Sequence, residues 1–210
     1  MTAPQRRPAV LLMGPPGAGK SPLGEALERR TGWVHFDFGA QLRRIASGAN
    51  DHGLAPAERN FVRGLVEADA LFPEDWFALA HRIAADFLDR NKAAPGFVLN
   101  GLPRRADQAR GLVDLFAVTL VVVLDCPADV AASRVARRRA GGTLDHAGRQ
   151  DDAPERLAHR CALYDRHAGE LCAHYRSTGV AVLTLPVGED STAENLAQAA
   201  LATARLPGGP

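Results

Sequence analysis

AVLLMGPPGAGKSPLGEALERR, residues 9–30, sets the architecture of this chain. It opens with the apolar run Ala9–Met13, short and without polar alternation, which reads as a strand buried on both faces. It closes with the amphipathic stretch Leu23–Arg30, which reads as a helix. Between them, Gly14–Ser21 spells GPPGAGKS and matches G-x-x-x-x-G-K-[ST] in the strand-to-helix setting that this motif requires. The glycines let the backbone of Gly14, Pro15, Pro16, Gly17, Ala18 and Gly19 curl so that N–H groups face phosphate oxygens. The helix that follows adds its positive end. Lys20 supplies a charge to the β- and γ-phosphates, and the Ser21 hydroxyl is a candidate ligand for Mg²⁺. The motif implies a nucleoside triphosphate and leaves the acceptor open.

The remaining strand-like runs are Trp33–Phe36, Phe97–Leu99, Leu120–Leu124 and Val180–Leu185. Helix-like stretches separate them: Ala106–Leu115, Ala128–Arg139, Ala153–Ser177 and Thr192–Ala204. This alternation predicts an α/β fold, a doubly wound parallel sheet of five strands, with its ligands at the carboxyl ends of those strands. Residues 41–72 read as an inserted helical lobe without a strand. Residues 139–150 are Gly-rich, polar and apolar-poor, and read as a short flap. The whole chain, 1–210, is expected to form one domain.

Composition narrows the function classes. Lys and Arg total 25 against 24 Asp and Glu, so the net charge of +1 offers no broad basic surface for nucleic acid. No apolar run reaches the ~18 residues of a membrane span. The 3 cysteines, Cys126, Cys161 and Cys172, form no C-x-x-C pair, and their odd number is a poor disulfide framework. A cytoplasmic protein acting as a monomer, without nucleic-acid or membrane partners, is the expectation. His159, His167 and His174 fall on one expected helix at spacings too wide for joint chelation. Cys161, Cys172, Trp76 and Phe77 are read as packing residues.

Several further segments resemble the adenylate kinase family of nucleoside monophosphate kinases. FVLNGLPRRADQA at Phe97–Ala109 is similar to the family's G-F-x-L-D-G-F-P-R-T-x-x-Q-A. HFDFGAQLR at His35–Arg43 resembles its H-I-S-T-G-D-x-L-R, and RVARRR at Arg134–Arg139 resembles the edge of its lid. GRQDDAPERLAHR at Gly148–Arg160 resembles its R-x-D-D and the helix that follows. The resemblance implies a P-loop three-layer fold with a helical NMP-binding lobe at 41–72 and a short lid at 139–150. It implies reversible transfer of the γ-phosphoryl group of ATP to a nucleoside monophosphate, AMP first, with Mg²⁺ accompanying ATP. Arg134 and Arg138 would join the P-loop at ATP. Phe38, Arg43, Gly101, Arg104, Gln108, Arg149 and Arg160 would surround the monophosphate. Lys20, Arg104, Arg138, Arg149 and Arg160 would be the catalytic cations. Such a set suits a reaction that crowds phosphates together, because guanidinium groups are planar and always charged. The lid lacks a four-Cys zinc pattern.

The chain also departs from the family pattern. Asn100 replaces the Asp of D-G-F-P-R, and Ala40 replaces the Asp of S-T-G-D, so two carboxylates are missing. Ser21 is expected to offset their loss in part. Phe38 stands where the family has Thr, and stacks on the acceptor's base, narrows the pocket, or packs in the core. Kinases for another monophosphate or another small phosphorylated acceptor, and a nucleotide-binding regulatory protein with little turnover, are the alternatives. Asp151 and Asp152 read as helix-capping residues or as a lid hinge.

Overall fold

The computed structural model describes residues 6–68, 70, 72–139 and 154–203, the side chains of 74, 138–139 and 154–156 excepted. A five-stranded, all-parallel sheet lies at its centre, in the order β2-β3-β1-β4-β5. The strands are β1 (Arg7–Met13), β2 (Val34–Asp37), β3 (Phe97–Asn100), β4 (Phe116–Asp125) and β5 (Ala181–Pro186). The helices are α1 (Lys20–Thr31), α2 (Phe38–Ala46), α3 (Pro56–Ala68), α4 (Phe77–Arg90) and α5 (Ala106–Gly111). They continue with α6 (Ala128–Arg139), α7 (Pro154–Ser177) and α8 (Ala193–Thr203).

Strand alternation divides the core into two layers. Ala9, Leu11 and Met13 of β1 face one layer with Phe97 and Leu99 of β3 and residues of α2, α3, α4 and α7. Val10 and Leu12 face the other with Val98, the apolar side of α1, and α8. One irregularity interrupts β4. Ala9 pairs with Val118 and Val10 with Leu120, so Thr119 is an extra residue opposite β1. Phe116 and Val118 therefore face the same layer as Val121 and Val123, although their numbers differ in parity.

Close approaches hold the helices down. A Cβ on Gly24 would run into the His35 ring, so the bare backbone there lets α1 lie against β2. A Cβ on Gly111 would strike Phe77. Here α5 stops at Gly111, short of the expected Leu115, and a turn leads into β4. Trp76 departs from the expected core position. It sits in a short 3₁₀ turn, is 39% exposed and stacks on Phe61 with ring centroids 3.9 Å apart. Cys126 and Cys172 are buried free thiols, and the Cys172 Sγ lies 3.9 Å from Met13 Sδ. No helix among the described residues is long and apolar enough to cross a membrane. None of their His, Cys, Asp and Glu side chains gather into a group of three suited to a metal ion.

Candidate active site

The site is built where β1 ends. Gly14, Gly17 and Gly19 all have positive φ, at 150°, 86° and 93°. L side chains rarely take such values, and here they wrap the loop into a cradle. A Cβ at Gly17 would meet the Ala131 carbonyl oxygen at 2.6 Å, so α6 closes over the loop and leaves no room. Lys20 opens α1 and bends its ammonium back, donating to the carbonyl oxygens of Gly14 at 2.7 Å and Pro15 at 2.8 Å. Arg134 reaches over Gly19 from α6. Its Nη1 donates to the carbonyls of Ser191 at 2.9 Å and Gly188 at 3.3 Å, which fixes the guanidinium at the loop before α8.

The carboxyl ends of β2 and β3 supply the facing wall. Asp37 ends β2 and caps α2, where its Oδ1 accepts from the Ala40 N–H at 2.9 Å. Its Oδ2 accepts from the Ser21 hydroxyl at 2.7 Å and from Asn100 Nδ2 at 3.0 Å, and Asn100 Nδ2 lies 3.1 Å from Ser21 Oγ. Strand register places Asp37 directly beside Asn100. Burial opposes the ionisation of Asp37. The Ser21 and Ala40 hydrogen bonds, with the charges of His35 and Arg43, outweigh that and hold its carboxyl below the usual range. Arg43, one turn into α2, comes close enough to touch a Cβ built on Gly39.

Arg104 follows β3 in a turn through Gly101 (φ 84°) and a cis Leu102–Pro103 bond. Its Nε donates to the Gly101 carbonyl at 2.9 Å. Its backbone N–H donates to Gln108 Oε1 at 2.8 Å, so the Gln108 side chain fastens the turn that carries Arg104. Gln108 is 5% exposed.

One cleft gathers most of these groups. Gly14, Pro16, Gly17, Gly19, Lys20, Ser21, Asp37, Gly39, Arg43, Asn100, Gly101 and Arg104 line it from one side. Arg160, Leu163, Tyr164, His167 and Leu171 of α7 line it from the other. Burial pushes the Tyr164 phenol up to about 12, so it stays neutral and can donate.

Not every expected residue lines this cleft. Phe38 is buried, its ring 5.6 Å from that of Phe72 and 6.1 Å from that of Phe36, so the aromatic packs in the core. Arg149, Asp151, Asp152 and the flap at 140–150 lie outside the described residues, as does the Arg138 side chain, although α6 carries its backbone. Asp37 was not singled out in the sequence. A carboxylate ending a strand and capping the next helix was the available signal. The α7 residues Tyr164 and His167 gave none.

A parallel sheet whose first strand feeds a glycine cradle and a lysine, faced by arginines from α2, the β3–α5 turn and α7, defines a P-loop nucleotide phosphotransferase. A model of the family described as "Adenylate kinase" matches residues 12–180. The chain is 30% identical to the adenylate kinase of Parvibaculum lavamentivorans over 178 residues, 81% of this chain and 80% of that protein. It is 31% identical to the adenylate kinase of Mycolicibacterium smegmatis over 170 residues, covering 80% and 85% of the two chains. With the adenylate kinase of Stenotrophomonas maltophilia it shares 26% over 185 residues, 86% and 91%. The chain belongs to the adenylate kinase family.

Proposed function

We propose that this protein catalyses ATP + AMP = 2 ADP, with ATP on the glycine cradle and the monophosphate between Arg43, Arg104 and Arg160. The observation that carries this reading is the single cleft in which the phosphate loop and those three arginines face one another. Many negative charges must share the space, and fixed cations aimed at them act strongly where water is excluded.

The attacking atom is a phosphate oxygen of AMP. Its second pKa is ~6, so at neutral pH the acceptor is mostly dianionic and needs no protein base. A bond forms from that oxygen to the γ-phosphorus as the bond to the β–γ bridging oxygen breaks. The electron pair leaves on ADP. Lys20 must exchange its two carbonyl partners for phosphate oxygens. Arg104 and Arg160 meet charge on the equatorial oxygens, and the clamp holds both nucleotides in line. Gln108 acts as a positioning residue, holding the turn of Arg104. We assign residues 41–72 as the monophosphate lobe and 139–150 as the lid, and their closure as the step that excludes water. Arg134, Arg138 and Arg149 belong to the ATP side and lid of this scheme. The enzyme works as a cytoplasmic monomer in this reading.

The residues fit a magnesium ion arriving with ATP. Ser21 Oγ and the Asp37 carboxylate are hard oxygen donors at the entrance to α1, and Mg²⁺ is commonly held by one or two carboxylates plus substrate phosphates. Bound there, the ion would neutralise phosphate charge.

ADP formation from ATP with AMP, CMP, UMP or GMP, with and without Mg²⁺, tests the reading. Turnover should be greatest with AMP. Arg104→Ala should lower kcat/KM by a factor on the order of 10²–10³, as for loss of one fixed electrostatic donor. No turnover with any monophosphate, while ATP still binds, would overturn the assignment.

A further inference from the structure

We infer that Asp37 is the carboxylate through which this enzyme holds the metal ion of its nucleotide, so the charge absent at Asn100 is supplied from the neighbouring strand. The inference rests on the reaction proposed above and assigns it a residue.

Three observations lead there. First, Asp37 is the only acidic side chain among the described residues lining a cleft that also holds Lys20, Arg43, Arg104 and Arg160. A carboxylate facing phosphates repels them unless a cation lies between. Second, its Oδ2 is bonded to Ser21, whose hydroxyl is the P-loop's own metal-ligating group. The carboxylate therefore sits at the Ser21 end of the loop. Third, Asp37 and Asn100 are register partners on adjacent parallel strands, and both reach Ser21 Oγ, at 2.7 and 3.1 Å. A negative charge placed at either position would act on the same point. Asn100 holds Asp37 in place by donating to its Oδ2.

The rival role for Asp37 is structural, because its Oδ1 caps α2. The two roles differ in sign. Without metal, Asp37 repels ATP; with metal, it attracts the metal–ATP complex. Asp37→Asn keeps the capping oxygen, removes the charge, and sets an amide NH₂ where Oδ2 accepts from Ser21 and Asn100. It should tighten metal-free ATP and weaken Mn²⁺ in the protein–ATP complex about 10–100-fold, the usual range for groups that support a metal. ATP affinity in EDTA by calorimetry, and Mn²⁺ affinity by electron paramagnetic resonance, read the two separately. Asp37→Asn with Asn100→Asp, which returns one charge to the neighbouring position, should restore most of the Mn²⁺ affinity.

Unchanged Mn²⁺ affinity in Asp37→Asn would overturn the inference and leave the phosphotransfer reading standing. Equal weakening of metal-free and metal-bound ATP would assign Asp37 to shaping the site through its Ser21 and Asn100 hydrogen bonds, and also overturn it. Wild-type protein that binds ATP but turns over no monophosphate would sink the proposed function, while the Mn²⁺ result would still decide the role of Asp37.

Discussion

Gly17 illustrates how far a single residue in this site was readable. The motif demanded a glycine-rich loop, and the structure adds why this one admits no side chain: φ is 86° and the Ala131 carbonyl stands 2.6 Å from where a Cβ would be. Gly17→Ala should cost about 1–3 kcal/mol, the usual range for a residue held in such a conformation, and the displaced loop should bind ATP poorly. Urea unfolding and ATP titration of the same variant check both parts. Lys20, Ser21, Arg43, Arg104 and Arg160 were legible because each occupies a position in a motif of fixed spacing. Asp37 was not. Its position depends on β2 and β3 lying side by side, which brings residues 37 and 100 together, and a local reading saw only that position 100 had lost its acid. Phe38 was legible only as an alternative, because burial decides between stacking and packing.

At the scale of elements, each of the five strands overlaps the run expected for it, because short apolar runs between turn residues have few other fates. Helix ends were harder. α2 begins at Phe38, ahead of the expected lobe start at residue 41, since the Asp37 cap ends the strand. α5 ends at Gly111, where the Phe77 ring of α4 leaves no room for a Cβ, a contact invisible in local periodicity. Two carboxylates stitch elements together. Asp37 links β2 and α2 to α1 through Ser21. Asp86 of α4 pairs with His52 at 2.7 Å and Arg90 at 2.7 Å, and so ties α4 to the loop before α3. Burial opposes ionisation of each. Ser21, Ala40, His35 and Arg43 prevail at Asp37, and Arg90 and His52 prevail at Asp86, so both pKa values fall below 3.8. The unfolded chain therefore takes up these protons at higher pH than the folded one. The stabilisation is complete above the unfolded value and is lost as pH falls through the folded values. Urea midpoints should drop as pH is lowered below about 4. Asp37→Asn and Asp86→Asn should each flatten that drop.

Over the whole molecule, two apolar layers lie on either side of one sheet, and the cleft opens where the carboxyl ends of β1, β2 and β3 meet α7. The sheet order could be anticipated only as a class, because crossover choices follow from packing between distant segments. The irregularity in β4 was not anticipated at all, since Thr119 looks like any other residue of a β-rich run. It bears on how the chain tolerates lost codons. Removing one residue from a buried strand ordinarily turns everything beyond it inside out. Removing Thr119 would instead leave Val118 opposite Ala9 and Leu120 opposite Val10, their present partners, with each side chain still facing its own layer. In a deletion scan of β4, the Thr119 deletion should therefore yield folded, soluble enzyme, destabilised by about 1 kcal/mol, an ordinary mutational cost. Deletion of Val121 or Val122 should yield none. The strand carries a removable link, and the reading of its two faces survives the link's excision.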